Sequence, residues 1–297
     1  MNEINVFGVQ QSSSSDKAAS LANTEKWITE ASQQGADLIV LQELHGTDYF
    51  CQTQDQQKFS LAEPLGGPTA QFLSNQAKKA NAVIVGSIFE RRAAGIYHNT
   101  ALVFDKDGSL AGYYRKMHIP DDPGFYEKYY FTPGDEQGFE PIKTSIGKLG
   151  VMICWDQWYP EAARIMALKG AQILIFPTAI GWDKADDKQE QNRQKDAWTG
   201  VQRGHSIANC LPLIAVNRVG HEPDPSHQTG GIDFWGHSFI CGQQGEILSI
   251  NENQQEGLIK ASINLNHTEQ VRQIWPYFRD RRIDAYKGLD QRYLDDE

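Results

Sequence analysis

The chain has 297 residues, 40% hydrophobic and 22% charged, with a formal net charge of −10. That is ordinary globular composition, long enough for a large core and for one or two domains. The acidic balance argues against a nucleic-acid or anionic-membrane partner, and four widely spaced cysteines with no CxxC pair argue against a disulfide framework and for a reducing, cytoplasmic setting.

The first ten residues, MNEINVFGVQ, carry neither the basic nor the apolar region of a signal peptide. Apolar runs further on fall well short of the roughly 20 residues a membrane helix needs. In chain order, residues 4–10 read as a strand and 16–35 as an amphipathic helix, with Ala18, Leu21, Ile28 and Ala31 near one face and Gly35 as its stop. A buried strand follows at 36–43, a helix at 69–80 and a strand at 82–90. Residues 100–116 read as a hairpin turning at Asp107-Gly108. Next come a strand at 148–154, a helix at 160–169 and a strand at 171–179. The stretch GWDKADDKQEQ (181–191) reads as a charged loop before a helix at 195–209. A strand at 211–219, a hairpin at 237–250, a strand at 257–264 and a helix at 267–274 complete the series. Strands alternating with helices, with hairpins inserted, predict an α/β fold on mixed sheets. The pattern predicts one domain over residues 1–265 and a tail over 266–297 that docks elsewhere.

Three ionisable side chains recur where apolar strands run out: Glu43 after LIVLQ, Lys116 after AGYYR and Cys154 after GVMI. In open α/β sheets, ligand sites form beyond the carboxyl ends of strands. Each has a plainer reading: an exposed cap, a solvated hairpin end, a small buried hydrophobe. Together they complement one another. A thiol needs a base, a cation or a helix N-terminus to act as a nucleophile. Glutamate supplies a base, and lysine a cation and a donor. The eight histidines form no HxxxH or HExxH pair, so no metal site is expected. His118 reads as a packed, hydrogen-bonded histidine.

The blocks LQELHGTDYFCQ, YYRKMHIPDDPGFYEKYYFTPGD and GVMICWDQWYPEAARIMALKGAQILIFPTAIG resemble, in order and spacing, the three signature blocks of the nitrilase (carbon–nitrogen hydrolase) superfamily. The resemblance implies a four-layer αββα sandwich of two mixed β-sheets. It implies that Glu43 is the general base and later acid, Lys116 the oxyanion stabiliser and Cys154 the nucleophile. The Trp155 N–H would be a second oxyanion donor, and Glu127 a second glutamate that positions Lys116 or the attacking water. It requires no metal and no organic cofactor.

Within the superfamily the blocks are most similar to the subgroup that hydrolyses N-carbamoylputrescine, a small carbamoyl amine. Such a ligand calls for apolar walls and a distal carboxylate. Tyr49, Tyr130, Trp155 and Trp158 are candidate walls, with core packing as the alternative for Trp158. Asp186 and Asp187 are the candidate carboxylates. A β-ureidopropionase or other N-carbamoyl amino acid hydrolase would need arginine instead, for which Arg193, Arg203 and Arg218 are available. An aliphatic amidase or nitrilase, and a non-catalytic binding protein on the same fold, are the remaining alternatives. Assembly into a homo-oligomer through residues 160–170 and 277–288 is also implied, with Arg279, Arg281 and Arg282 as interface residues.

Overall fold

A computed structural model describes residues 3–295 except 184, 228 and 253. The chain opens with β1 (Glu3–Gln10), α1 (Lys17–Gln33), β2 (Leu38–Val40), α2 (Pro68–Ala80) and the run β3 (Val83–Ala93), β4 (Ile96–Phe104) and β5 (Leu110–Arg115). A one-turn helix α3 (Glu127–Tyr130) leads to β6 (Ile142–Thr144), β7 (Gly147–Val151), α4 (Pro160–Leu168), β8 (Ile173–Thr178), β9 (Gly181–Asp183), α5 (Lys188–Asn209) and β10 (Leu213–Asn217). Then come β11 (Val219–Glu222), β12 (Ile232–Trp235), the hairpin β13 (Phe239–Cys241) and β14 (Ile247–Ile250), β15 (Gly257–Asn264) and α6 (His267–Ile274).

Two six-stranded sheets result, ordered β15-β1-β2-β3-β4-β5 and β14-β13-β10-β8-β7-β6, with β11-β12-β9 as a small third sheet. Both large sheets are parallel at the centre and antiparallel at the flanks. Period-two alternation sorts their faces. Val6, Leu38, Val40, Val83 and Val85 of the first sheet share one core with Val151, Ile173 and Leu213 of the second. Their sequence neighbours Phe7, Ile39 and Ile84 instead pack against Ile28 and Ala31 of α1 and Leu73 and Ala77 of α2. Helices α4 and α5 cover the outer side of the second sheet. Each large sheet is thus buried on both faces, which is why its central strands read as unbroken apolar runs. The layers are helix, sheet, sheet, helix, the sandwich expected from the resemblance. No helix among the described residues is long and apolar enough to cross a membrane.

The strand directions position the site. Because β4 is antiparallel to both β3 and β5, β5 runs with β2 and β3. The carboxyl ends of β2 and β5 therefore reach the same edge. There the Glu43 N–H bonds to the Thr178 carbonyl at the end of β8, 3.4 Å away, joining the two large sheets.

Three expectations need correcting. β4 begins at Ile96, not near residue 100, and pairs back on β3 through a turn at Gly95, whose φ of +76° suits glycine. The third sheet was not foreseen: its strands are three or four residues long and show no usable period. Helix α5 starts two turns earlier than residue 195, so part of the charged loop is helix. Asp187 is its N-cap, accepting the Glu190 N–H at 2.8 Å.

Candidate active site

Glu43 lies three residues past β2 and is fully buried. Its Oε1 accepts from Asn99 Nδ2 at 2.6 Å and Lys116 Nζ at 2.8 Å, while its buried Oε2 has no partner among the described residues. Lys116 follows β5 directly and is fully buried. Its Nζ also donates to Glu127 Oε2 at 2.6 Å, and Glu127 Oε1 accepts from the Tyr49 hydroxyl at 2.8 Å. Cys154 opens the tight helical turn Cys154–Trp158, with φ at +42° in the left-handed region. Its Sγ sits 3.9 Å from the Ala179 carbonyl, just past β8.

Burial and then the Glu43 charge push the Cys154 thiol well above its ordinary pKa, against the pull of Lys116. Burial works to neutralise Lys116, but the Glu127 and Glu43 carboxylates outweigh it and hold the ammonium well above its usual value. Burial raises Glu127 to about 7, with Lys116 opposing and Glu43 adding to the rise. At rest the site therefore holds a neutral thiol beside a charged lysine. Such a thiol becomes a nucleophile only if a neighbouring base removes its proton as the new bond forms.

A second set of contacts ties the cysteine turn to the lysine strand. Buried Asp156, two residues after Cys154, takes the Ile153 N–H at 2.9 Å and the Tyr114 hydroxyl at 2.8 Å on Oδ2. Its Oδ1 takes the His118 N–H at 3.0 Å and contacts His118 Nδ1 at 2.7 Å. Tyr114 and His118 flank Lys116 by two residues on either side. His118 is packed as expected, stacked on Tyr159 with centroids 3.7 Å apart. Gln157 Oε1 accepts from Trp198 Nε1 at 2.8 Å, fixing α5 to the same turn.

A cavity of about 560 Å³ opens over Cys154 and Glu127. Trp155, Trp158, Phe125, Ile180 and Trp235 give it apolar walls. Asp122, Asp183, Asp186 and Glu190 line it too, and Arg193 is the only cationic lining side chain among the described residues. No group of three or more His, Cys, Asp or Glu among the described residues could hold a metal ion.

The carbon-nitrogen hydrolase family model matches residues 6–273. The chain belongs to the carbon-nitrogen hydrolase family. This hydrolase is 42% identical to an N-carbamoylputrescine amidase from Solanum tuberosum, over 96% of this chain and 94% of that one. It is 39% identical to a citrullinase from Francisella tularensis, over 99% of this chain and 100% of that one. The crystal structure of a carbon-nitrogen hydrolase from Helicobacter pylori G27 is 52% identical, with a TM-score of 0.95, covering 98% of this chain and 100% of that one.

In this carbon-nitrogen hydrolase, Glu43, Lys116, Glu127 and Cys154 meet in one place, and Trp155 and Asp186 line the cavity beside them. Tyr49 does not line it: the ring lies behind Glu127 and its hydroxyl is bonded there. Tyr130 does not line it either. Its hydroxyl donates to the Thr53 carbonyl at 2.5 Å and its ring packs among Phe50, Phe59 and Phe89. Asp187 is held as the α5 cap rather than in the cavity wall. Arg218 is fully buried, binding Glu222 at 2.6 Å and the carbonyls of Glu43, Leu44 and Thr47, so it braces the glutamate turn. Arg203 Nε donates to the Gly245 carbonyl at 2.7 Å and does not line the cavity. Asn99, Asp156, Glu190 and Trp235 belong to the site without a signal in the sequence that marks them as such. The Asp187–Glu190 spacing, a capping pattern, was the available signal for the α5 extension that brings Glu190 to the cavity.

Proposed function

We propose that this chain is an N-carbamoylputrescine amidohydrolase, converting N-carbamoylputrescine to putrescine, carbon dioxide and ammonia in the synthesis of polyamines. The observation that carries the reading is a cavity with a buried cysteine at its base, ring walls and an excess of carboxylates. That suits an uncharged carbamoyl group on an aliphatic chain ending in an ammonium. The carbamoylputrescine amidase from Solanum tuberosum supports it at 42% identity over nearly the full length.

In the mechanism, Glu43 takes the Cys154 proton on its unpartnered oxygen as the sulfur attacks the carbamoyl carbon. Lys116 and the Trp155 N–H stabilise the oxyanion, each donor contributing about 3 kcal/mol. Glu43 returns the proton to the leaving nitrogen, whether amine or ammonia, and a thioester remains on Cys154. Water activated by Glu43 attacks it, the C–S bond breaks, and the carbamic acid released falls apart to carbon dioxide and the remaining nitrogen product, ammonia where the amine left first and putrescine where ammonia did. Glu127 orients Lys116. Asp186, half-buried and bonded to Gln194 Nε2 at 3.0 Å, receives the distal ammonium. The chemistry uses no cofactor.

A second reading, hydrolysis of an N-carbamoyl amino acid, is favoured by one observation, the presence of Arg193 on the cavity wall. Ammonia release from N-carbamoylputrescine, N-carbamoyl-β-alanine and a simple aliphatic amide separates the readings. Preference for the first supports the proposal; preference for the second or third overturns it.

The assembly proposed is a homo-oligomer in a cytoplasmic, reducing setting. All four cysteines are free and buried. Ile165 and Leu168 of α4, Ile207 of α5 and Ile274, Trp275 and Ile283 beyond them are exposed apolar side chains that a second copy would cover. Of the basic residues named for this interface, Arg279 and Arg282 pair within the tail with Asp280 and Asp284. Light scattering that finds only a monomer-sized species contradicts the assembly.

A further inference from the structure

The first three turns of α5 form a wall of the cavity: Glu190, Arg193, Gln194 and Ala197 all line it, at the spacing of one helix face. Arg193 Nε donates to Glu190 Oε2 at 2.8 Å, and its Nη2 contacts the same oxygen. The fork is thus paired with the carboxylate one turn before it. Both side chains remain partly exposed, at 60% and 37%. An exposed i,i+3 ion pair is weak, so its partners can be exchanged.

We infer that the Glu190–Arg193 pair sets the specificity of this cavity for or against a carboxylate on the amine-bearing end of the substrate. The inference rests on the carbamoyl-amine reading above and deepens it. Citrulline is N-carbamoylputrescine with one carboxylate added to the carbon that bears the amine. The two ligands therefore present the same carbamoyl group to Cys154 and an ammonium at the same distance. They differ only in an anion at the far end, which this cavity meets with an excess of carboxylates and a single arginine already paired. With the Nε–Nη2 edge of Arg193 held by Glu190, the added carboxylate meets repulsion and no unpaired cation among the described lining residues. With Arg193 released, a planar two-donor fork is available to it, the geometry in which arginine binds carboxylates best.

The test compares kcat/KM for citrulline and for N-carbamoylputrescine in the wild type, Glu190→Gln and the double variant Glu190→Gln/Arg193→Gln. The wild type favours N-carbamoylputrescine. In Glu190→Gln the citrulline-to-carbamoylputrescine ratio rises roughly tenfold or more, the scale of one charge-assisted contact, and the double variant loses the gain. An unchanged ratio in Glu190→Gln overturns the inference. So does a rise that persists in the double variant, since removal of repulsion alone then explains it. A wild type that hydrolyses neither compound, or that prefers citrulline, overturns the underlying reading as well and is distinguishable from the other outcomes. Thermal melting of the three proteins confirms that all are folded when compared.

Discussion

Lys116 Nζ stands 2.6 Å from Glu127 Oε2, and both side chains are sealed from solvent. Burial has raised Glu127 to about 7, well above its value in an unfolded chain. As pH rises from about 4.5 to about 7, the unfolded chain releases this proton while the folded protein keeps it. Glu127 therefore contributes stability that is fully present below its unfolded pKa and lost as pH rises through 7. Melting curves across this range should show the wild type losing ground to Glu127→Gln. Parallel curves for the two proteins contradict the account. The same variant should lower kcat about 100-fold, the scale of a misplaced oxyanion donor.

Asp156 gathers contacts from Ile153, Tyr114 and His118 in a dry setting. Asp156→Ala leaves those donors without partners and should cost about 3 kcal/mol or more. Tyr114→Phe removes one donor and should cost about 1 kcal/mol. Because the aspartate links the cysteine turn to the lysine strand, Asp156→Ala should also lower kcat by about 100-fold, as a displacement of roughly 1 Å would. Urea unfolding and steady-state kinetics on the same preparations check both effects.

Cys154 holds a φ of +42°, where a side chain with a Cβ is disfavoured. Glycine is at home there and alanine is not. Cys154→Gly should be more stable than Cys154→Ala by about 1 kcal/mol, both being inactive. An alanine variant as stable as the glycine variant means that the turn carries no conformational strain.

Asp186 and Asp187 adjoin in sequence and differ in role. Asp187 caps α5 through the Glu190 N–H, a task serine performs equally well. Asp187→Ser should leave melting and kinetics near those of the wild type. Asp186→Ser should raise KM for N-carbamoylputrescine roughly tenfold with little change in kcat, since the distal ammonium is bound alike in ground and transition states. Equal effects of the two substitutions on KM contradict the assignment of Asp186.

The legible part of the fold was the set of strands buried on both faces. Val83–Val85 and Ile173–Phe176 read as strands because both neighbours of each sheet are apolar layers. Glu43, Lys116 and Cys154 stood out because an ionisable group followed the end of each of three strands, although the one before Lys116, Leu110–Arg115, is only partly buried. Less legible were features set by tertiary contact. Tyr49 and Tyr130 look like pocket walls in sequence, yet their hydroxyls face Glu127 and the Thr53 carbonyl. Arg218 looks like a ligand donor, yet it is fully buried under the Glu43–Thr47 turn. The strands Gly181–Asp183 and Ile232–Trp235 are too short to carry a period, so the wall they form was not visible.

The central claim is that Cys154 carries the carbamoyl carbon through a covalent intermediate. The direct measurement is mass analysis of peptides from enzyme mixed with N-carbamoylputrescine and quenched in acid during turnover. The account predicts an adduct confined to the peptide bearing Cys154, absent from Cys154→Ala, with ammonia release lost in that variant. Ammonia release at the wild-type rate from Cys154→Ala, or an adduct on Cys51, Cys210 or Cys241 instead, would contradict it.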